Sequence, residues 1–110
     1  MSKTALESTR AFQKRVYDNK VNHNFNVTDI NQEFLFLYGE VAEAYEAARR
    51  TPNTLGSELA DIALYLLGIA EIKGIDLGEE INKKMEINEG RKYTIINGVE
   101  FKQSSDENGG

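Results

Sequence analysis

The chain has no cysteine, a single proline, a single histidine and no apolar run long enough for a membrane. Without cysteine there is no disulfide framework, no thiol nucleophile and no Cys-ligated zinc site. The longest mostly apolar stretch, Ile62 to Ile72, falls well short of the ~20 residues that span a bilayer. The first residues, MSKTALESTR, carry no apolar h-region of a secretory signal, so a cytoplasmic protein is expected. Basic residues are outnumbered, 13 Lys and Arg against 18 Asp and Glu. A formal net charge of −5 lacks the basic footprint of a nucleic-acid binder, so neither nucleic acid nor membrane is expected as a partner.

With 110 residues, of which 40% are apolar, the chain suits one domain with a genuine core, over about 1–103, and a polar tail over 104–110. So short a chain buries a modest share of its surface and gains from self-association. The lone Pro52 leaves long uninterrupted segments whose periodicity is helical. A first helix is predicted from Thr4 to Asn19, with Thr4 and Glu7 as a capping box, followed by a polar loop to Asn26. A second runs from Thr28 to Arg50, with Ile30, Phe34, Leu37, Val41 and Ala48 at helical spacing, and ends at Thr51-Pro52-Asn53. A third covers Thr54 to Lys73 and is closed by Gly74. A fourth starts near Asp76 and Glu79 and continues to Asn88 or Arg91. Tyr93 to Phe101 is β-prone around Asn97-Gly98, the pair favoured in a type I′ hairpin turn. The fold class is therefore all-α, a helical bundle with a short C-terminal hairpin-like extension.

The third helix concentrates the chemistry. Leu59 to Ala70 reads LADIALYLLGIA, apolar on every side, which belongs in the middle of a bundle. Yet it carries Asp61, with Glu58 one turn earlier on the same side. A carboxylate in such a setting costs several kcal/mol, roughly, unless it is paired or binds a metal. The second helix adds more acid: Glu40 and Glu43 one turn apart, with Glu33 two turns upstream on the same stripe. A Glu-x-x-Glu on an acidic helix is ordinarily a solvated face. Two such pairs on neighbouring helices instead bring Glu40, Glu43, Glu58 and Asp61 towards one point, where like charges call for protonation or a divalent cation. Oxygen-only donors favour Mg²⁺, Mn²⁺ or Ca²⁺ over zinc or copper, and Mg²⁺ suits a site that shares its ion with phosphate. A ferritin-like di-iron centre needs Glu-x-x-His on two helices, and the only histidine, His23, falls in a loop. On the fourth helix Lys84, Asn88 and Arg91 share a face and offer an ammonium, an amide and a guanidinium to phosphate oxygens.

Glu40-Val-Ala-Glu43, fourteen residues, then Glu58-Leu-Ala-Asp61 resembles the Glu-x-x-Glu … Glu-x-x-Asp signature of the MazG-like, all-α nucleoside triphosphate pyrophosphohydrolases. The flanks are similar too: Lys73-Gly-Ile-Asp76-Leu after the second acidic pair, then Lys84-Met-Glu-Ile-Asn88-Glu-Gly-Arg91-Lys-Tyr93. The likeness covers about Phe34 to Tyr93. Gly39 stands where the family carries a further acidic residue, and the Asn19–Asn26 loop matches no base-binding element. The resemblance implies a four-helix bundle that forms a homodimer or a dimer-of-dimers tetramer. It implies Mg²⁺ (Mn²⁺ as substitute) held by Glu40, Glu43, Glu58 and Asp61, with Glu40 or Glu43 as catalytic base. It further implies Lys84, Asn88 and Arg91 as substrate-binding residues, and hydrolysis of a nucleoside or deoxynucleoside triphosphate to the monophosphate and pyrophosphate. Phosphoribosyl-ATP is an alternative substrate, and a non-catalytic helical interaction protein is the alternative outside enzymes. Phe12, Tyr17, His23 and Phe25 are the aromatic candidates for stacking on a base.

Overall fold

The computed structural model describes residues 8–90 and, as backbone, the strands 93–96 and 99–102. The described chain is helical, with four α-helices: α1 (Thr9–Asn22), α2 (Ile30–Arg50), α3 (Leu55–Ile72) and α4 (Leu77–Gly90). A 3-10 turn, Pro52–Thr54, joins α2 to α3, with proline at its first position where no backbone N–H is needed. The molecule divides into two compact units, Met1–Leu77 and Gly78–Gly110. None of the four helices is long and apolar enough to cross a membrane.

In the first unit α3 packs against both α1 and α2. The buried positions of α2 are Glu33, Leu37, Ala44 and Ala47, and with half-buried Glu40 they step along the helix by four, three, four and three residues. The matching steps on α3 are Glu58, Asp61, Tyr65 and Gly68. Small residues set the closeness of these helices. At Gly68 an added Cβ would meet Val16 Cγ1 at 3.3 Å, so the missing side chain is what admits α1. The expectation that α3 lies enclosed is met only in part. Its Leu59, Leu64 and Leu66 stay exposed, because α1 and α2 cover part of a helix that is apolar all round.

Both limits of α1 and the start of α2 differ from those read in the sequence. Helix α1 starts at Thr9, where the Ser8 hydroxyl accepts from the Ala11 N–H at 3.1 Å; Thr4 and Glu7 lie outside the described residues. Its end lies at Asn22 rather than Asn19, and the termination is a Schellman motif. Asn24 takes the left-handed conformation (φ 57°), its N–H donates to Val21 O, and the Phe25 N–H donates to Lys20 O at 2.8 Å. The end of α3 repeats the device with Gly74 (φ 69°): Gly74 N–H to Glu71 O, and Ile75 N–H to Ala70 O. Helix α2 begins at Ile30. Asp29 caps it by accepting from the N–H groups of Asn31 and Gln32.

Polar side chains fill two core positions. Gln13 is fully buried and joins α1 to the turn after α3. Its amide donates to Glu71 Oε1 (3.0 Å) and Ile75 O (2.8 Å), while its oxygen accepts from the Leu77 N–H at 2.7 Å. Glu33, 1% exposed, accepts from Lys20 Nζ at 2.8 Å and from Asn26 Nδ2 at 2.9 Å. Asn26 also accepts from the Thr28 and Asp29 N–H groups, so one buried carboxylate anchors the whole α1–α2 connection.

The second unit holds α4 beyond its first residue. On α4, Lys83 lies 3.5 Å from Glu80, one turn apart, on an exposed face. Beyond α4 the backbone forms two strands, β1 (Tyr93–Ile96) and β2 (Val99–Lys102), paired antiparallel with Ile96 opposite Val99. The turn residues Asn97 and Gly98 and the tail 104–110 lie outside the described residues.

Candidate metal centre

The acidic pairs come together because α2 and α3 pack along seams that contain them. Glu40 sits on the buried seam of α2, and Glu43 follows one turn later at its edge. Glu58 opens the seam of α3, and Asp61 follows it. One carboxylate oxygen each from Glu40, Glu43 and Glu58 falls within a mutual spacing of 4.8 Å. Glu40 and Glu58 are half-buried, whereas Glu43 is exposed. Asp61 stands outside that triad but beside it, sharing a hydrogen bond with Glu40.

The electrostatics follow from this crowding. Burial lifts the Glu40 carboxyl above its ordinary value of 4.5, the charges of Glu43, Asp61 and Glu58 raise it further, and the shared hydrogen bond with Asp61 adds to the shift. Next along the seam, burial pushes the Tyr65 phenol above 10.0, reinforced by Glu33, Glu40, Asp61 and Glu43. One atom stands out. Glu58 Oε1 is enclosed, and no described group hydrogen-bonds to it. An enclosed carboxylate oxygen without a donor costs at least about 1–3 kcal/mol. A hard divalent cation shared with Glu40 and Glu43 would remove that cost and the mutual repulsion together. The donor set, all carboxylate oxygen, suits Mg²⁺ or Mn²⁺.

The remaining acid on this stripe has a different role. Glu33 shares the α2 stripe with Glu40 but is paired, with Lys20 of α1 at 2.8 Å from its Oε1. That partner is thirteen residues away and on another helix, so no spacing rule within α2 points to it. Lys84 and Asn88 lie exposed on α4, and Arg91 lies outside the described residues.

A cleft of about 520 Å³ in the first unit reaches along α3 as far as Tyr65, one turn beyond Asp61; Glu40, Glu43, Glu58 and Asp61 are not on its lining. Phe12, Asn19, Lys20, Phe25, Glu33 and Tyr65 are among its lining residues. Phe12 and Phe25 were among the aromatic candidates for a base, and the cleft gathers both. Tyr17 and His23 are not on its lining, and His23 instead stacks on Phe25 at 5.4 Å between ring centroids. Lys20 and Tyr65 had no signal of their own in the sequence. A second, shallower cleft of about 440 Å³ includes Glu43 and Glu58 with Arg50, Thr51 and Thr54, so the carboxylates open to solvent on that side. The chain matches no protein-family model, no curated protein and no solved structure.

Proposed function

We propose that this protein is a Mg²⁺-dependent nucleotide pyrophosphohydrolase of the MazG-like type, with the four-helix fold, C-terminal hairpin and homo-oligomeric state of that family. The observation that carries the reading is the convergence of Glu40, Glu43 and Glu58, with one enclosed Glu58 oxygen left without a donor. Glu40, Glu43, Glu58 and Asp61 hold the ion, Asp61 through its place beside Glu40. When bound, Mg²⁺ supplies charge neutralisation and Lewis acidity to the triphosphate. A carboxylate of α2, Glu40 or Glu43, takes the proton of the water that attacks the α-phosphorus. The products are a nucleoside monophosphate and pyrophosphate. By the resemblance, Lys84 and Arg91 orient the phosphates and Asn88 the sugar or a phosphate oxygen.

The test is pyrophosphate release from a panel of NTPs, dNTPs and phosphoribosyl-ATP, with Mg²⁺ or with chelator. Turnover is expected with the metal only, and Asp61→Ala should abolish it while the helical circular dichroism is retained. Full turnover by Asp61→Ala would sink the assignment. The exposed apolar side chains of α2 favour one second reading, a non-catalytic helical protein that binds a partner chain. That reading requires silence across the panel and no effect of Mg²⁺ on melting.

A further inference from the structure

Lys20 is the one strongly buried cation of the larger cleft, with a side chain 12% exposed. An ammonium has three donors. Among the described residues one of them meets Glu33 Oε1 at 2.8 Å, and the charge lies 5.8 Å from the centroid of the Tyr65 ring. Glu33 cancels the Lys20 charge, and the lining's other cation, Arg15, is exposed and stands 5.7 Å from the Phe12 ring centroid. The ammonium keeps two further N–H donors, enough to meet a neutral acceptor. The same cleft gathers Phe12, Phe25 and Tyr65, which suit a flat aromatic ligand.

The position relative to the carboxylates is equally specific. Tyr65 lies one turn beyond Asp61 on α3, about 6 Å along the axis, and Glu33 lies about 10 Å before Glu40 on α2. A ligand that fills the cleft and also reaches the acidic site must therefore be flat at one end and phosphorylated at the other, with a spacer of about one sugar between.

Resting on the hydrolase reading above, we infer that the cleft seats the base of the nucleotide and that Lys20 selects a keto oxygen. Guanine and hypoxanthine present such an oxygen at position 6, and uracil and thymine at position 4. Adenine and cytosine carry an amino group there, whose N–H bonds would face the ammonium donors and leave both unsatisfied. One charge-assisted hydrogen bond of this kind discriminates by about tenfold to a hundredfold. Glu33 holds the ammonium in place and, being 1% exposed, does not itself meet the base.

Two substrate pairs isolate the difference: ITP against ATP, and UTP against CTP. With Mg²⁺ the keto member should show the higher kcat/KM by at least about tenfold. The double variant Lys20→Met/Glu33→Gln, which removes both charges together, should bring both ratios near one. Melting shifts with IMP against AMP read the same preference without hydrolysis. Turnover with equal ratios in the wild type overturns the keto selection and leaves the hydrolase intact. No turnover, but a Lys20-dependent melting shift with IMP over AMP, sinks the hydrolase and keeps the cleft assignment. Protection by inorganic phosphate that vanishes in the double variant, or silence in every arm, overturns the cleft assignment. Should the double variant fail to fold, the wild-type ratios alone decide.

Discussion

Glu40 is the residue at which burial and charge act in the same direction. Its raised value means that the folded chain holds this proton more tightly than the unfolded chain, whose carboxyl titrates near 4.5. Its stabilising contribution is fully present below 4.5 and is lost as pH rises through the higher folded value. Without metal, the melting temperature of the wild type should therefore fall relative to Glu40→Gln as pH is raised from about 4.5 to neutrality, since the amide keeps no proton to lose. Saturating Mg²⁺ should shrink the difference or reverse it, because an ion favours the ionised carboxylates. Parallel melting curves for the two proteins at every pH would show that the crowding at Glu40 has no thermodynamic weight.

At the level of elements, the two Schellman endings decide where α1 and α3 stop. Each needs a residue with positive φ, and the chain supplies Asn24 in one case and Gly74 in the other. A side chain branching at Cβ resists that conformation, and for ordinary L-residues it costs roughly 1–2 kcal/mol. Gly74→Ala should lower the unfolding free energy by about that amount in urea titrations, and Asn24→Ala by about 1 kcal/mol. Asn24→Gly should be tolerated or slightly stabilising. The position of Asn24 bears on function, because Phe25 follows it directly and Lys20 accepts the closing hydrogen bond. A misplaced α1 end would shift both cleft residues at once. Equal stability of all three variants would show that these endings do not set the helix limits.

For the molecule as a whole, the exposed surface of α2 is the outstanding feature. Leu35, Tyr38 and Tyr45 are each about two-thirds exposed and repeat at a helical spacing of three and seven. Leu35 lies two residues on from Glu33, and Tyr38 and Tyr45 directly follow Leu37 and Ala44, so all three stand about 100–200° round the helix from those buried residues. The buried apolar set of the described residues is small: Leu37, Ala44, Ala47 and Ala70. A chain with so little enclosed core gains much by covering that stripe with a second copy. Sedimentation should find a dimer or tetramer, and Tyr38→Glu/Tyr45→Glu should shift it to monomer and lower its melting temperature. A wild-type monomer at every concentration would remove the oligomer from the proposal.

By itself the sequence determined the helical class, the approximate limits of α2 and α3, and the one-turn spacing of Glu40 with Glu43 and of Glu58 with Asp61 on their helices. All of these are local matters, set by a period of 3.6 residues and by the breaks at Pro52 and Gly74. The ends of α1 were less legible, since Ser8 and Asn24 are individually common residues whose capping roles depend on backbone geometry. Only the tertiary structure decided which acids act together. It separated Glu33 from the acidic site by giving it Lys20, left Glu58 Oε1 without a donor, and buried Gln13 as the clasp at Leu77. Each of these depends on contacts between helices far apart in the chain. Periodicity says which face a residue occupies, but a partner across the interface is chosen by how the helices pack.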